Sequence, residues 1–284
     1  VSPSHHRLRR LVRRAGVLAA ILALAAVAGA SAKNRGDDDR PQRVLYATTD
    51  QNTLIKFDAR SPERLKDIRG ITGLPAGVKL GGIDFRPATG DLYGVGSDSV
   101  VYRVNPRTGI AIAEGPAFTP GLTGRFLGVD FNPTVDKIRV TNEAGQNLRL
   151  NVDEGTLLSS DAALNPGMPR VVGSAYTNSF FSAQAPNTRP ATQLYAIDSA
   201  SDTISLQTPP NNGTLTNPQP LGFDLADQAG FDIAGDDNVG FIATKMKRGS
   251  GLYSVDPATG DSRWLGNIGG GRRLVVTGLA AWQD

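Results

Sequence analysis

Three aspartates occupy the same place in a repeated phrase: Asp84 in Gly82-Ile83-Asp84-Phe85, Asp130 in Gly128-Val129-Asp130-Phe131, and Asp232 in Gly230-Phe231-Asp232-Ile233. Carboxylates brought together from separate segments can share a proton or hold an oxygen-ligated cation, Ca²⁺ or Mg²⁺, with Ca²⁺ the cofactor to look for. The structural alternative is that each accepts backbone N–H bonds and pins the hairpin that follows it. Looser copies of the phrase carry Ala175 and Ala280 instead, so some copies do without that acceptor. A second group is Arg139 with Asn142, Gln146 and Asn147. Matching copies place Tyr46, Tyr93 and Phe241 where Arg139 stands. A charged fork among packing aromatics suits either an internal ion pair, with an acid such as Asp130 or Asp136, or recognition of an anion.

The missing side chains narrow the chemistry further. Both histidines, His5 and His6, fall within residues 1–32, and the chain has no cysteine. The remainder therefore cannot run a Ser-His-Asp or Cys-His mechanism, nor build a His/Cys zinc site. No phosphate-binding loop, dinucleotide fingerprint or EF-hand spacing is present. The four glutamates, Glu63, Glu114, Glu143 and Glu154, fall in predicted turns or outer strands, which gives little support to a paired-carboxylate glycosidase. What remains is carboxylate chemistry, an oxygen-ligated cation, or binding without catalysis, and the balance leans away from an enzyme.

Residues 1–32 read as a secretory signal, with a basic stretch (Arg7 to Arg14), an apolar run (Ala15 to Ala28) and small residues at Ala30-Ser31-Ala32. The apolar run is shorter than the roughly 20 residues a membrane-spanning helix needs. A polar linker over 33–43 and a single domain over 44–284 follow, so a secreted or periplasmic protein is expected, with no membrane span after cleavage. The whole chain has 30 Lys plus Arg against 27 Asp plus Glu. Five of the arginines belong to the signal, and without them 25 basic side chains face 27 acidic ones. That balance leaves no basic stripe for a nucleic acid.

The elements that would position the aspartates follow from the repeat. An offset of 46 residues carries Gly82 onto Gly128, Pro87 onto Pro133, Tyr102 onto Leu148 and Gly109 onto Gly155. A second landmark, a strand ending in Asp or Asn and a turn, recurs at 54–58, 101–105, 148–151, 194–198 and 252–256. Short β-branched and aromatic runs between Gly, Pro, Asn and Asp predict an all-β chain. Units of this length, each worth four strands, are propeller blades. The expected fold is a five-bladed β-propeller, with six blades as the alternative. Its units are residues 275–282 with 44–74, then 80–120, 126–168, 171–222 and 229–270. The first blade joins the N- and C-terminal strands in one sheet, which leaves no open edge. The three aspartates then fall on innermost strands, near the axis. The fourth unit is longer, chiefly over Asn178 to Thr192, where Phe180-Phe181 suits either an exposed binding loop or a small tucked-in satellite core. Trp264 and Trp282 are expected in the core.

The phrases Gly-Ile-Asp-Phe-Arg-Pro-Ala-Thr-Gly (82–90), Gly-Val-Asp-Phe-Asn-Pro-Thr-Val-Asp-Lys-Ile-Arg-Val (128–140), Gly-Gln-Asn-Leu-Arg-Leu-Asn (145–151) and Pro-Asn-Asn-Gly-Thr-Leu (210–215) resemble the DUF4394 family of exported bacterial proteins. The likeness covers about residues 44–282. It implies a propeller and export, and brings no catalytic residues. The expected function is a non-catalytic binding module for an extracellular protein, a glycan or a surface component, acting as a monomer. The alternatives are a metal-assisted hydrolase or lactonase at the axial aspartates, and a structural envelope or matrix protein.

Overall fold

Each repeated phrase alternates slim residues with bulky apolar ones, so a strand built from it has one face that permits close approach and one that fills a core. The computed structural model, which describes residues 42–183, 185 and 188–282, uses that alternation five times. The signal and all but the last two residues of the linker lie outside the described residues. Those two are Gln42 and Arg43, and Arg43 is buried, paired with Asp236 and, at 3.4 Å, with Asp237.

The described chain forms five four-stranded antiparallel sheets. Blade one contains β1 (Val44–Thr49), β2 (Thr53–Asp58) and β3 (Ser61–Gly70). Blade two is β4 (Leu80–Phe85), β5 (Leu92–Gly96), β6 (Val101–Val104) and β7 (Ala111–Ala113). Blade three is β8 (Leu127–Asn132), β9 (Lys137–Asn142), β10 (Asn147–Asn151) and β11 (Thr156–Ser160). Blade four is β12 (Val171–Tyr176), β13 (Leu194–Asp198), β14 (Thr203–Gln207) and β15 (Leu215–Pro220). Blade five is β16 (Ala229–Ile233), β17 (Gly240–Lys245), β18 (Ser250–Val255) and β19 (Ser262–Asn267), and β20 (Val276–Ala281) returns to blade one as its innermost strand. There β20 pairs antiparallel with β1, Leu45 opposite Ala281, and the Trp282 amide donates to the Val44 carbonyl at 2.8 Å. The fold is therefore a five-bladed, all-β propeller closed by strands from both ends of the domain. Among the described residues no helix is long and apolar enough to cross a membrane.

One landmark is assigned differently by the structure. The run Leu194–Asp198 matches third strands in the sequence repeat, but β13 pairs directly with the innermost β12 and is a second strand. The extra residues of blade four lie between its first and second strands, and this insertion shifts the count. Trp264 also departs from expectation. It sits on the outermost strand β19 with 41% of its surface exposed, one side covering Gly251 and its ring edge-on to Tyr253 at 5.0 Å. Trp282 packs against the core beside Phe85, ring centroids 4.9 Å apart.

The five interfaces between neighbouring blades are not alike. Four are filled by large apolar clusters. Tyr46, Ile83 and Phe85 join blades one and two, and Tyr93, Val129 and Phe131 join two and three. Tyr195, Ile197 and Phe231 join four and five, and Phe57, Phe241 and Leu279 join five and one. Each such side chain, fully buried, contributes about 1.5–3 kcal/mol of transfer free energy. Between blades three and four the apolar cluster shrinks to Leu164, Val171 and Ala196, with Leu215 against them. Polar side chains fill the rest of that seam.

Candidate functional site

The five innermost strands carry a glycine at one level, Gly82, Gly128, Gly173, Gly230 and Gly278. A Cβ on Gly230 would lie 2.8 Å from the backbone of Gly278 and Leu279, and one on Gly278 would lie 2.9 Å from the Cα of Gly82. Real Cβ atoms do not approach backbone so closely, so these glycines let adjacent inner strands touch and narrow the centre of the ring. Two residues further along, on the same strand face, stand Asp84, Asp130 and Asp232.

These three are brought together at the axis. One carboxylate oxygen from each lies within 4.8 Å of the others, and the residues are 1%, 0% and 3% exposed. Asp84 accepts the amide of the next residue, Phe85, at 2.6 Å and that of Phe131 in blade three at 2.8 Å. Asp232 repeats the arrangement with Ile233 at 2.7 Å and Ala281 of blade one at 2.6 Å. These carboxylates therefore staple one blade to the next rather than pinning their own hairpins alone. Asp130 differs, because the amide of its own successor, Phe131, already serves Asp84. Neither Asp130 oxygen makes a hydrogen bond of standard geometry. The Tyr176 amide, in the place that Phe131 holds for Asp84, and the Asp232 carboxyl bear on its proton affinity without reaching that geometry.

Electrostatics follow from this crowding. Burial, reinforced by Asp232, pushes Asp84 well above the usual carboxylate range. Burial, with Asp84 and Asp232 adding like charge, does the same to Asp130. Asp232 is pushed up by burial and held back by its two amides, to about 6. Three ionised carboxylates at such separations in a dry interior repel strongly, so the cluster requires protons or a cation.

The candidate ligand contacts lie elsewhere. Arg139 on β9 faces Asp130 across the β8–β9 pair, in the place held by aromatics in all four other blades, because Tyr195 of β13 joins Tyr46, Tyr93 and Phe241. Its guanidinium turns into the seam between blades three and four, where its acid is Asp161 at 2.6 Å, not Asp130 or Asp136. It also donates to Asn147 at 2.7 Å, to Asn211 of blade four at 2.8 Å and to the Tyr176 hydroxyl at 3.3 Å. Asn147 in turn donates to the Ala162 and Pro210 carbonyls and accepts from Gln207. Asp136 instead takes Arg86 of blade two at 2.5 Å. Asn142 and Gln146 close the β9–β10 turn on each other at 2.5 Å, and Gln146 reaches the Gly121 carbonyl and Thr123 amide. All four residues thus have internal partners. The repeat gave no sign of Asp161, Gln207 or Asn211, since each stands at a strand end or turn that differs from blade to blade.

The described residues of the blade-four insertion, 177–183, 185 and 188–193, lie on the face of the ring formed by the links between first and second strands. Asn178 and Asn238 of blade five clasp reciprocally, at 2.7 and 3.1 Å. Ser182 and Arg189 reach the Pro87 carbonyl of blade two at 3.1 and 3.3 Å. Blades two and four are not neighbours, so this strap passes beside the axis. It lies on the face nearest the aspartates, which stand one residue from the ends of β4 and β16 and two from the end of β8. Phe181, 48% exposed, lies near Gly90 of blade two.

Two open concavities flank these elements. The larger, about 820 Å³, lies between blades four and five on the strapped face, lined by Asn178, Gln193, Tyr195, Asp256, Asp261 and Arg263 among others. The smaller, about 430 Å³, opens at the axis on the opposite face, with Thr49, Lys79, Ser97, Arg125 and Thr277 around it. It ends at Gly81, about 10 Å along the strand from Asp84.

Fold and site thus define a five-bladed propeller with a sealed acidic axis. Residues 53–280 match the model of a domain of unknown function, DUF4394, and the chain belongs to that family. No curated protein sequence matches the chain. Among solved structures it is similar to a protein of unknown function from Bacteroides thetaiotaomicron VPI-5482, at 16% identity over 79% of this chain and 58% of that one, with a TM-score of 0.44. It is similar to the Dos1 propeller at 14% identity over 78% of this chain and 56% of that one, with a TM-score of 0.41. For Myxococcus xanthus glutaminyl cyclase the values are 12% identity, 70% and 81% coverage, and 0.46. The chain spans less than three fifths of the first two.

Proposed function

We propose that this protein is an exported, non-catalytic binding module, secreted or periplasmic, whose ligand is an oligosaccharide seated in the cleft between blades four and five. The observation that carries the reading is that the insertion with no counterpart in the other blades forms one wall of this cleft. A cavity of about 820 Å³ is of ligand size, and its lining mixes carboxylates and amides with the Tyr195 ring and Pro257. Acceptors and donors spaced around small apolar surfaces match a chain of hydroxyl groups. The burial of the axial aspartates supports binding over hydrolysis, because a substrate carbonyl would need to pass either the glycine ring or the strap to reach them.

A glycan array probed with the purified protein tests this directly. Binding to one class of glycan is expected, weakened at least tenfold by Asp261→Ala or Gln193→Ala. A blank array, or binding that ignores both substitutions, would sink the assignment. Cell fractionation tests export separately, and full-length protein confined to the cytosol would remove that part.

A further inference from the structure

We propose that Asp84, Asp130 and Asp232 hold one calcium-sized divalent cation on the propeller axis, as a structural site that ties blades two, three and five together. An acidic cluster alone would not suggest this. The observation that points to a ligand is Asp130, wholly buried, with a carboxylate oxygen in the cluster and neither oxygen in a hydrogen bond of standard geometry. Burying an unpaired carboxylate is among the costliest arrangements in a folded chain. Its two neighbours are provided for by four backbone amides, each 2.6–2.8 Å away, and each of their oxygens keeps a second lone pair.

Size selects the ion. With the three oxygens no more than 4.8 Å apart, an ion at their centre would sit within about 2.8 Å of each. Calcium takes carboxylate oxygens at 2.3–2.6 Å and tolerates irregular geometry, so a contraction of a few tenths of an ångström suffices. Magnesium demands about 2.0–2.1 Å in a near-octahedral shell, and the amide-anchored Asp84 and Asp232 would have to leave their staples to supply it. With no histidine or cysteine among the described residues, the site suits a hard cation. Charge agrees, since a divalent ion cancels two of three negative charges and the four amides face the remainder. Because the site is sealed, the cation would enter as the ring closes.

The test is metal analysis of the full-length protein, as purified and after refolding from denaturant in millimolar calcium or in chelator. The expected result is about one calcium per chain that resists dialysis, with a higher melting temperature after refolding in calcium than in chelator. The isosteric variant Asp130→Asn should lose at least nine tenths of the metal and melt below the wild type in calcium. Two results would overturn the site. One is under about 0.1 equivalent of calcium after both preparations. The other is an Asp130→Asn protein that melts above the wild type with and without calcium, as relief of repulsion among protonated and ionised carboxyls would produce. If the variant does not fold, metal content and calcium-dependent refolding of the wild type decide the matter.

Discussion

Replacing Asp161 by Asn probes the polar seam between blades three and four. The substitution preserves shape and removes one charge. Asp161 is 4% exposed and faces Arg139 at 2.6 Å and Arg149 at 2.8 Å, with Ser159 donating at 2.8 Å. Arg139 is 2% exposed, and among the described residues Asp161 is its one ion-pair partner. Removing one member of a buried pair typically costs about 3–5 kcal/mol, because the other charge stays buried without its counter-ion. For a domain of this size 1 kcal/mol corresponds to about 2–4 °C, so the melting temperature should fall by roughly 6–20 °C. The control is Asp153→Asn, which breaks a pair with Arg86 whose acid is 65% exposed and should cost less than about 1 kcal/mol. Placing Tyr at position 139, as in blades one, two and four, should cost much less in the Asp161→Asn background than in the wild type. Thermal and urea unfolding of the five proteins measure all of this. If Asp161→Asn matches Asp153→Asn, or if the two seam substitutions are additive, the seam is not held by this pair.

Acid should act through the same residue. Burial raises the proton affinity of Asp161, but hydrogen bonds from Arg149, Arg139 and Ser159 outweigh it and hold the folded pKa below the unfolded value of 3.8. A depressed pKa contributes stability that is present above the unfolded value and lost as pH falls through the folded one. The stability gap between wild type and Asp161→Asn should therefore narrow as pH falls below about 4, and pH-resolved urea titrations showing a constant gap would contradict the assignment. At the axis, Gly128→Ala would put a Cβ 2.6 Å from the Thr141 hydroxyl and 2.8 Å from the Gly173 carbonyl carbon, and against the Ser174 amide. Backbone cannot yield as a side chain does, so at least the 1–3 kcal/mol of an overpacked core is expected. A calorimetric melt unchanged by the substitution would mean the inner strands are looser than described.

Much of this architecture was readable before any coordinates. The Gly-x-Asp-Phe phrase marks inner strands because two independent demands recur at one spacing, a glycine for close approach and an acceptor for the neighbouring amides. Equal phase around a ring then brings Asp84, Asp130 and Asp232 to one axis. Arg139 stood out as a departure from the aromatic pattern, yet its partner did not, since Asp161 lies after the outermost strand of its blade, where sequence is free to vary. Leu194–Asp198 is ambiguous for a related reason: its residue pattern suits a second or a third strand equally, and only the preceding insertion decides. The strap itself was visible as extra length, whereas its reach to Pro87 depends on the ring's curvature. Trp264 shows that a bulky ring can shield a glycine from the outer edge of a sheet.

The meeting of Val44 and Trp282 in one sheet has a consequence for how the gene could be cut and rejoined. The ring has no structural beginning: the break between β20 and β1 falls where blades two, three and five have a short first-to-second-strand link, such as residues 86–91 in blade two. A circular permutant with that gap bridged and new termini opened within the blade-four strap would keep every strand pairing. Truncation before residue 275 would instead strip one strand and leave both β1 and the flank of blade two exposed to other chains.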